Sequence, residues 1–147
     1  MIQEKRILLV EDNADDEKLI LMSLQKSKIT NAVIVARDGQ EALDYLLGSK
    51  DKPEPLMPTV VLLDLHLPKV DGLEVLHRLR SDERTKLLPV VVLTSSDEDS
   101  DRIKSYRLGA NSYVCKPVDF VDFAAAVREL GLYWLLLNRP CPEANPA

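Results

Sequence analysis

Five short apolar runs alternating with five helical patterns predict an α/β domain built on one parallel sheet. Three observations carry that prediction. The runs 7–10, 33–36, 60–63, 90–93 and 112–115 are almost wholly apolar and rich in β-branched residues, as strands buried on both faces must be. Each is bounded by turn residues, and each is followed by apolar residues at helical spacing. Parallel strands joined through helices need right-handed crossovers, which place helices on both faces of a doubly wound (βα)₅ sheet. No internal repeat or second domain interrupts the pattern.

Taken in order, Ile7-Leu8-Leu9-Val10 is the first strand and ends abruptly in Glu11-Asp12-Asn13-Ala14-Asp15-Asp16. Asn13 suits a helix N-cap, and Asp16, three positions on, suits the return bond of a capping box. The helix is expected from about 15 to 26, with Leu19, Ile20, Met22 and Leu24 for the core. The second strand, 33–36, turns through Arg37-Asp38-Gly39 into a helix closed by Gly48. Residues 49–58 form a polar loop with three prolines. The third strand runs into Asp64, and Leu73, Val75, Leu76 and Leu79 stripe the helix after it. The fourth strand stops at Thr94-Ser95-Ser96. A weaker helix from about 99 to 108 follows, with Ile103 and Tyr106 as its expected anchors and Gly109 as its stop. The fifth strand ends at Lys116-Pro117, because proline gives no N–H to a ladder. The last helix carries Phe120, Phe123, Ala124, Val127, Leu130, Gly131 and Trp134, and is expected to extend to 137. One domain over 1–137 and a loosely ordered proline-rich tail over 138–147 complete the expected layout.

Composition bounds the function. The 147 residues carry 19 basic and 24 acidic side chains, a net charge of −5, which argues against nucleic acid as the main partner. Two cysteines make neither a metal quartet nor a disulfide scaffold, and Cys115 reads as a small core residue. The N-terminus lacks the apolar core of a signal peptide, and no run approaches the roughly 20 apolar residues that span a bilayer. A cytoplasmic location and no membrane partner are expected.

In a parallel sheet the carboxyl ends of the strands share one edge, where open α/β sheets bind ligands. These strands deliver Glu11 and Asp12, Asp64, Thr94 and Lys116 to that edge. Clustered carboxylates repel unless a cation or protons neutralise them, and oxygen-only donors suit Mg²⁺. Lys116 and Thr94 add a positive charge and a hydroxyl, so the set fits a carboxylate that receives a phosphoryl group. Bland readings stand beside this one. Asp64 could close a strand as a turn residue, Asp15 and Asp16 read as helix N-terminal charges, Thr94 could cap a helix, and Lys116 could lie on the surface. His66 and His77 read as loop and helix-surface residues, so no catalytic triad is indicated.

The motifs together resemble the receiver domains of two-component response regulators. They are Glu11-Asp12-Asn13, Asp64-Leu65-His66-Leu67-Pro68-Lys69-Val70-Asp71-Gly72, Leu93-Thr94-Ser95, Gly109-Ala110, Tyr113 and Lys116-Pro117. The resemblance spans 6 to about 132. It implies a flavodoxin-like three-layer sandwich with sheet order 2-1-3-4-5 and a phosphoacceptor protein that is not an enzyme with turnover. It also implies Asp64 as phosphoacceptor and Mg²⁺ on Glu11, Asp12, Asp64 and the backbone carbonyl of His66, with Mn²⁺ able to replace it. Thr94 and Tyr113 would be the switch pair, Lys116–Pro117 a cis peptide, and a sensor histidine kinase the phosphodonor. The loop 49–58 and the ending Leu130-Gly131-Leu132-Tyr133-Trp134-Leu135 resemble stand-alone regulators of cyanobacterial and bacterial phytochrome kinases, so signalling through protein contacts without an output domain is expected. An all-round apolar helix end needs cover. Leu132, Tyr133, Trp134 and Leu136 are therefore candidates for a homodimer interface. A flavin carrier would need a phosphate-binding loop in place of 11–16, and a phosphatase of related fold would need an acid where His66 stands.

Overall fold

The computed structural model describes residues 5–27 and 33–144. In chain order they form β1 (Ile7–Val10), α1 (Ala14–Lys26), β2 (Val33–Ala36), α2 (Gly39–Leu47), β3 (Val60–Leu63), α3 (Gly72–Arg80), β4 (Val90–Thr94), α4 (Asp99–Arg107), β5 (Ser112–Cys115) and α5 (Phe120–Leu132). The strands pair in parallel in the order β2-β1-β3-β4-β5. That is the doubly wound sheet the alternating pattern implies, in the flavodoxin-like order that the resemblance implies. No helix among the described residues is long and apolar enough to cross a membrane.

Alternation along each strand divides the core into two layers. Leu8, Val10, Val61, Leu63, Val90 and Val92 face α2 and α3, meeting Ala42, Leu43, Leu46, Val75, Leu76 and Leu79. Ile7, Leu9, Val60, Leu62, Val91 and Leu93 face the other side, meeting Leu19, Ile20 and Leu24 of α1 and Phe123 and Val127 of α5. Each such buried aliphatic side chain contributes about 1.5–3 kcal/mol relative to exposure, so both layers clamp the sheet that carries the site between its helices.

Local chemistry starts and stops the helices. Asp38, Asp71 and Asp119 cap α2, α3 and α5 through side-chain bonds to Glu41, Glu74 and Val121 N–H. Gly48 and Gly109, at φ +88° and +99°, end α2 and α4 in the left-handed region that side chains disfavour. Arg80 ties the end of α3 to the α4–β5 turn, donating to Gly109 O, Thr85 O and Asn111 Oδ1.

Several expectations need correction. Ile103 and Tyr106 do not anchor α4: they are 49% and 51% exposed, and the buried residue is Ser105, whose hydroxyl donates to Asp101 O. A helix with one covered side at the sheet edge had no room for both. Met22 and Phe120 also face solvent, because neighbours cover only one side of α1 and α5. Cys115 is exposed: it ends β5, an edge strand with a partner on one side only. The chain beyond α5 continues as a π-helical turn, Tyr133–Leu137, which turns Leu135 inward. The tail is not wholly loose. Pro142–Ala144 form a 3₁₀ turn with Ala144 buried, while 145–147 lie outside the described residues.

Candidate functional site

The site is assembled by strand register. Val10 pairs with Leu63, so Glu11 and Asp64 leave the sheet side by side at one level. Two backbone bonds, Glu11 N–H to Ala36 O at 3.0 Å and Asp64 N–H to Val10 O at 3.1 Å, carry the ladder one residue past the strands and fix both acids. Gly72 holds Asp64 from behind. A Cβ there would lie 2.3 Å from Asp64 O and 2.6 Å from Leu65 Cα, so only glycine lets α3 start this close to the acid.

Lys116 enters from the end of β5 and is buried among three carboxylates. Its Nζ donates to Glu11 Oε1 at 2.6 Å, Asp16 Oδ2 at 2.9 Å and Asp64 Oδ2 at 3.0 Å. Glu11 and Asp64 are themselves 1% and 6% exposed. Burial pushes the Glu11 carboxyl up to about 7, with the charge of Asp64 adding and Lys116 opposing. Burial alone would lower the Lys116 amine, but the bonds to Glu11 and Asp16 and the charge of Asp64 hold it above its ordinary range. Lys116 therefore stays a cation.

One carboxylate oxygen each from Glu11, Asp12 and Asp64 lie within 4.8 Å of one another. Three hard oxygen donors facing one lysine leave an excess of negative charge, which a hard divalent cation fits. His66 donates its backbone N–H to Asp64 Oδ1 at 3.3 Å, so the turn after Asp64 bends back over it. The His66 and His77 side chains are exposed, as expected.

Thr94 closes β4 fully buried, and its hydroxyl accepts a long bond from Ser96 N–H at 3.4 Å. Tyr113 donates its hydroxyl to Ser96 O at 2.9 Å, and burial raises its pKa. Thr94 and Tyr113 are thus tied through one residue and not to each other. Ser96 also donates from Oγ to Asp101 at 2.6 Å, which links the pair to α4.

Sequence reasoning missed two of these residues. Asp16 is not only a first-turn charge: it is a partner of Lys116, and the bond returned to Asn13 N–H comes from Glu11. Its signal was its place one turn past the acidic pair. Ser96 carried no signal beyond the turn it ends. The Lys116–Pro117 peptide is trans, since no described peptide bond is cis. The trans form is the lower in free energy for an X–Pro bond by about 0.5–1 kcal/mol. Of the dimer candidates, Leu132, Tyr133 and Leu136 are exposed, whereas Trp134 is half-buried against the α1–α5 layer and meets Tyr133 edge-on at 5.0 Å. They lie at or just beyond the end of the 13 residues of α5, about 20 Å of helix from its start at Phe120.

Residues 7–128 match the response regulator receiver domain family, and the chain belongs to it. It is 45% identical over 133 residues to the probable methanogenesis regulatory protein FilR2 of Methanothrix harundinacea, covering 90% of this chain and 85% of that one. It is 39% identical over 131 residues to response regulator Rcp1 of Synechocystis, covering 89% of each. In three dimensions it matches the Mn²⁺-bound form of Rcp1 with a TM-score of 0.88 at 37% identity, over 93% of this chain and 99% of that one. The phosphorylated cyanobacterial phytochrome response regulator RcpA matches with a TM-score of 0.89 at 38% identity, over 94% and 99%.

Proposed function

We propose that this receiver domain accepts a phosphoryl group on Asp64 from the phosphohistidine of a sensor histidine kinase, of phytochrome type, in the cytoplasm. One observation carries the reading. A buried carboxylate at a strand end is held by a lysine and lies within 4.8 Å of two more acids. The Mn²⁺-bound and phosphorylated states of its structural relatives support it, and the description of RcpA supports the phytochrome pairing.

In the transfer an Asp64 oxygen bonds to phosphorus while the phosphorus–nitrogen bond breaks. The electron pair leaves with the kinase imidazole, which takes up a proton. Lys116 already lies against Asp64 and donates to phosphoryl oxygens. Thr94 exchanges its weak bond to Ser96 for one to the phosphoryl group. Glu11, Asp12, Asp64 and the His66 carbonyl would hold Mg²⁺, or Mn²⁺ in its place, which supplies neutralisation of the charge that gathers there. Movement of Thr94 alters Ser96, and with it the hydroxyl anchor of Tyr113 and the first turn of α4. The α4–β5–α5 surface then shifts between two packings. The chain, one domain over 1–137 with a tail, passes this on by protein contact, and self-associates through Leu132, Tyr133, Trp134 and Leu136.

Intact-mass measurement after incubation with Mg²⁺ and acetyl phosphate tests the core of this reading. One phosphoryl adduct on wild type and none on Asp64→Asn is expected. No adduct on wild type, or an equal one on the variant, refutes it.

A further inference from the structure

A lysine ammonium has three N–H donors, and all three of Lys116 are taken by carboxylates: Glu11, Asp16 and Asp64. Two of those partners belong to the acid cluster that converges on Asp64. Asp16 does not, because the converging oxygens come from Glu11, Asp12 and Asp64. It stands in the first turn of α1, with its side chain 29% exposed, on a cavity of about 300 Å³ also lined by Asp15, Ser95, Lys116 and Phe120. The cation that bonds to Asp64 is thus partly committed to a carboxylate outside the reaction.

We propose that Asp16 is a positioning residue that competes with the phosphoryl group for Lys116 and so sets how tightly the site holds that group. The proposal rests on Asp64 being the acceptor. Phosphorylation replaces one carboxylate charge at Asp64 by a dianionic acyl phosphate whose oxygens need donors. An N–H given to Asp16 is not available to them, and the Asp16 charge repels the new anion. Both effects have the same sign. Asp16 acts through Lys116, and neither bonds to phosphorus nor moves a proton.

The test is equilibrium binding of fluoroberyllate, a stable phosphoryl mimic, to the full chain with Mg²⁺ in excess, followed by calorimetry. Asp16→Asn keeps an oxygen for Lys116 and removes the charge, and is expected to bind about tenfold more tightly than wild type. Asp15→Asn removes an equal charge one residue earlier, from a side chain with no bond to Lys116, and is expected to change affinity less than about twofold. Asp16→Ser, which also removes the charge, replaces the asparagine variant if circular dichroism finds that variant unfolded. Unchanged or weaker binding by the Asp16 variant overturns the proposal. Equal tightening by Asp15→Asn overturns it too, by reducing Asp16 to a bare surface charge. A wild type that binds no fluoroberyllate removes the phosphoacceptor reading itself, a failure distinct from wild-type binding that Asp16→Asn leaves unaltered.

Discussion

Replacing Glu11 by Gln is expected to stabilise the cation-free protein in a strongly pH-dependent way. Burial first, and the charge of Asp64 after it, lift the Glu11 carboxyl from its ordinary 4.5 to about 7 despite Lys116. The unfolded chain releases this proton near its ordinary value, and the folded chain holds it until about 7. Between those limits the folded state binds more protons, so stability falls as pH rises, and the loss is complete above about pH 7. At 1.36 kcal/mol for each tenfold, the loss comes to about 3 kcal/mol at pH 8 and under about 1 kcal/mol at pH 5. Glutamine has the shape of the protonated acid, keeps an oxygen for Lys116 and escapes the loss, but its NH₂ group gives up the acceptor for Asn13 N–H, at about 1 kcal/mol at either pH. Urea unfolding in EDTA should therefore find Glu11→Gln more stable than wild type by about 2 kcal/mol at pH 8, with that gap gone at pH 5. Added Mg²⁺ should then stabilise wild type more than the variant, because the cation needs the ionised acid. Equal stability at pH 8, or the same gap at both pH values, would refute the assignment of a buried, charge-strained Glu11.

Two further substitutions test the frame around the site. Gly72→Ala puts a methyl group against backbone of Asp64 and Leu65. It should cost about 1–3 kcal/mol by urea unfolding and abolish the phosphoryl adduct in the mass assay; an unchanged adduct would mean the acid is not held from behind. At the π-helical turn, Leu135→Ala should cost about 2–5 kcal/mol, since Leu135 is buried. Leu136→Glu replaces a side chain 63% exposed and should leave stability within about 0.5 kcal/mol while shifting sedimentation toward the monomer; identical sedimentation would remove the proposed self-association.

The strands and the acids at their ends were legible because both are written locally. A run such as Val60-Val61-Leu62-Leu63 can be satisfied only by burial on two faces, and the residue that follows it must emerge at the sheet edge. Exposure on the periphery was not legible. Ile103, Tyr106, Met22 and Cys115 have apolar or small side chains, but whether anything covers them depends on the curvature of the sheet and on which strand ends at its edge. Hydrophobicity alone does not encode either. Asp16 was hidden for a related reason. Its bond to Lys116 spans 100 residues of chain, and helix-start chemistry already accounted for an acid at that position. The apolar stretch 132–137 read as one uniform helix end, yet the π-helical turn rotates its residues so that Leu135 is covered and Trp134 half-covered, while Leu132, Tyr133, Leu136 and Leu137 are exposed.

The pairing of Val10 with Leu63 has a consequence for how the chain tolerates change in length. Strands buried on both faces are leucine, isoleucine and valine on either side, so a one-residue insertion within 7–10 or 60–63 would exchange one row of aliphatic side chains for another of nearly equal bulk. Both cores could refill. Glu11 or Asp64, however, would advance by one step and turn to the opposite face, and the four-way meeting with Lys116 and Asp16 would be lost. The same insertion at 50–55, where the loop is largely solvated, would disturb neither. Such a chain can keep its architecture while losing its chemistry, and indels within the strands mark where that separation occurs.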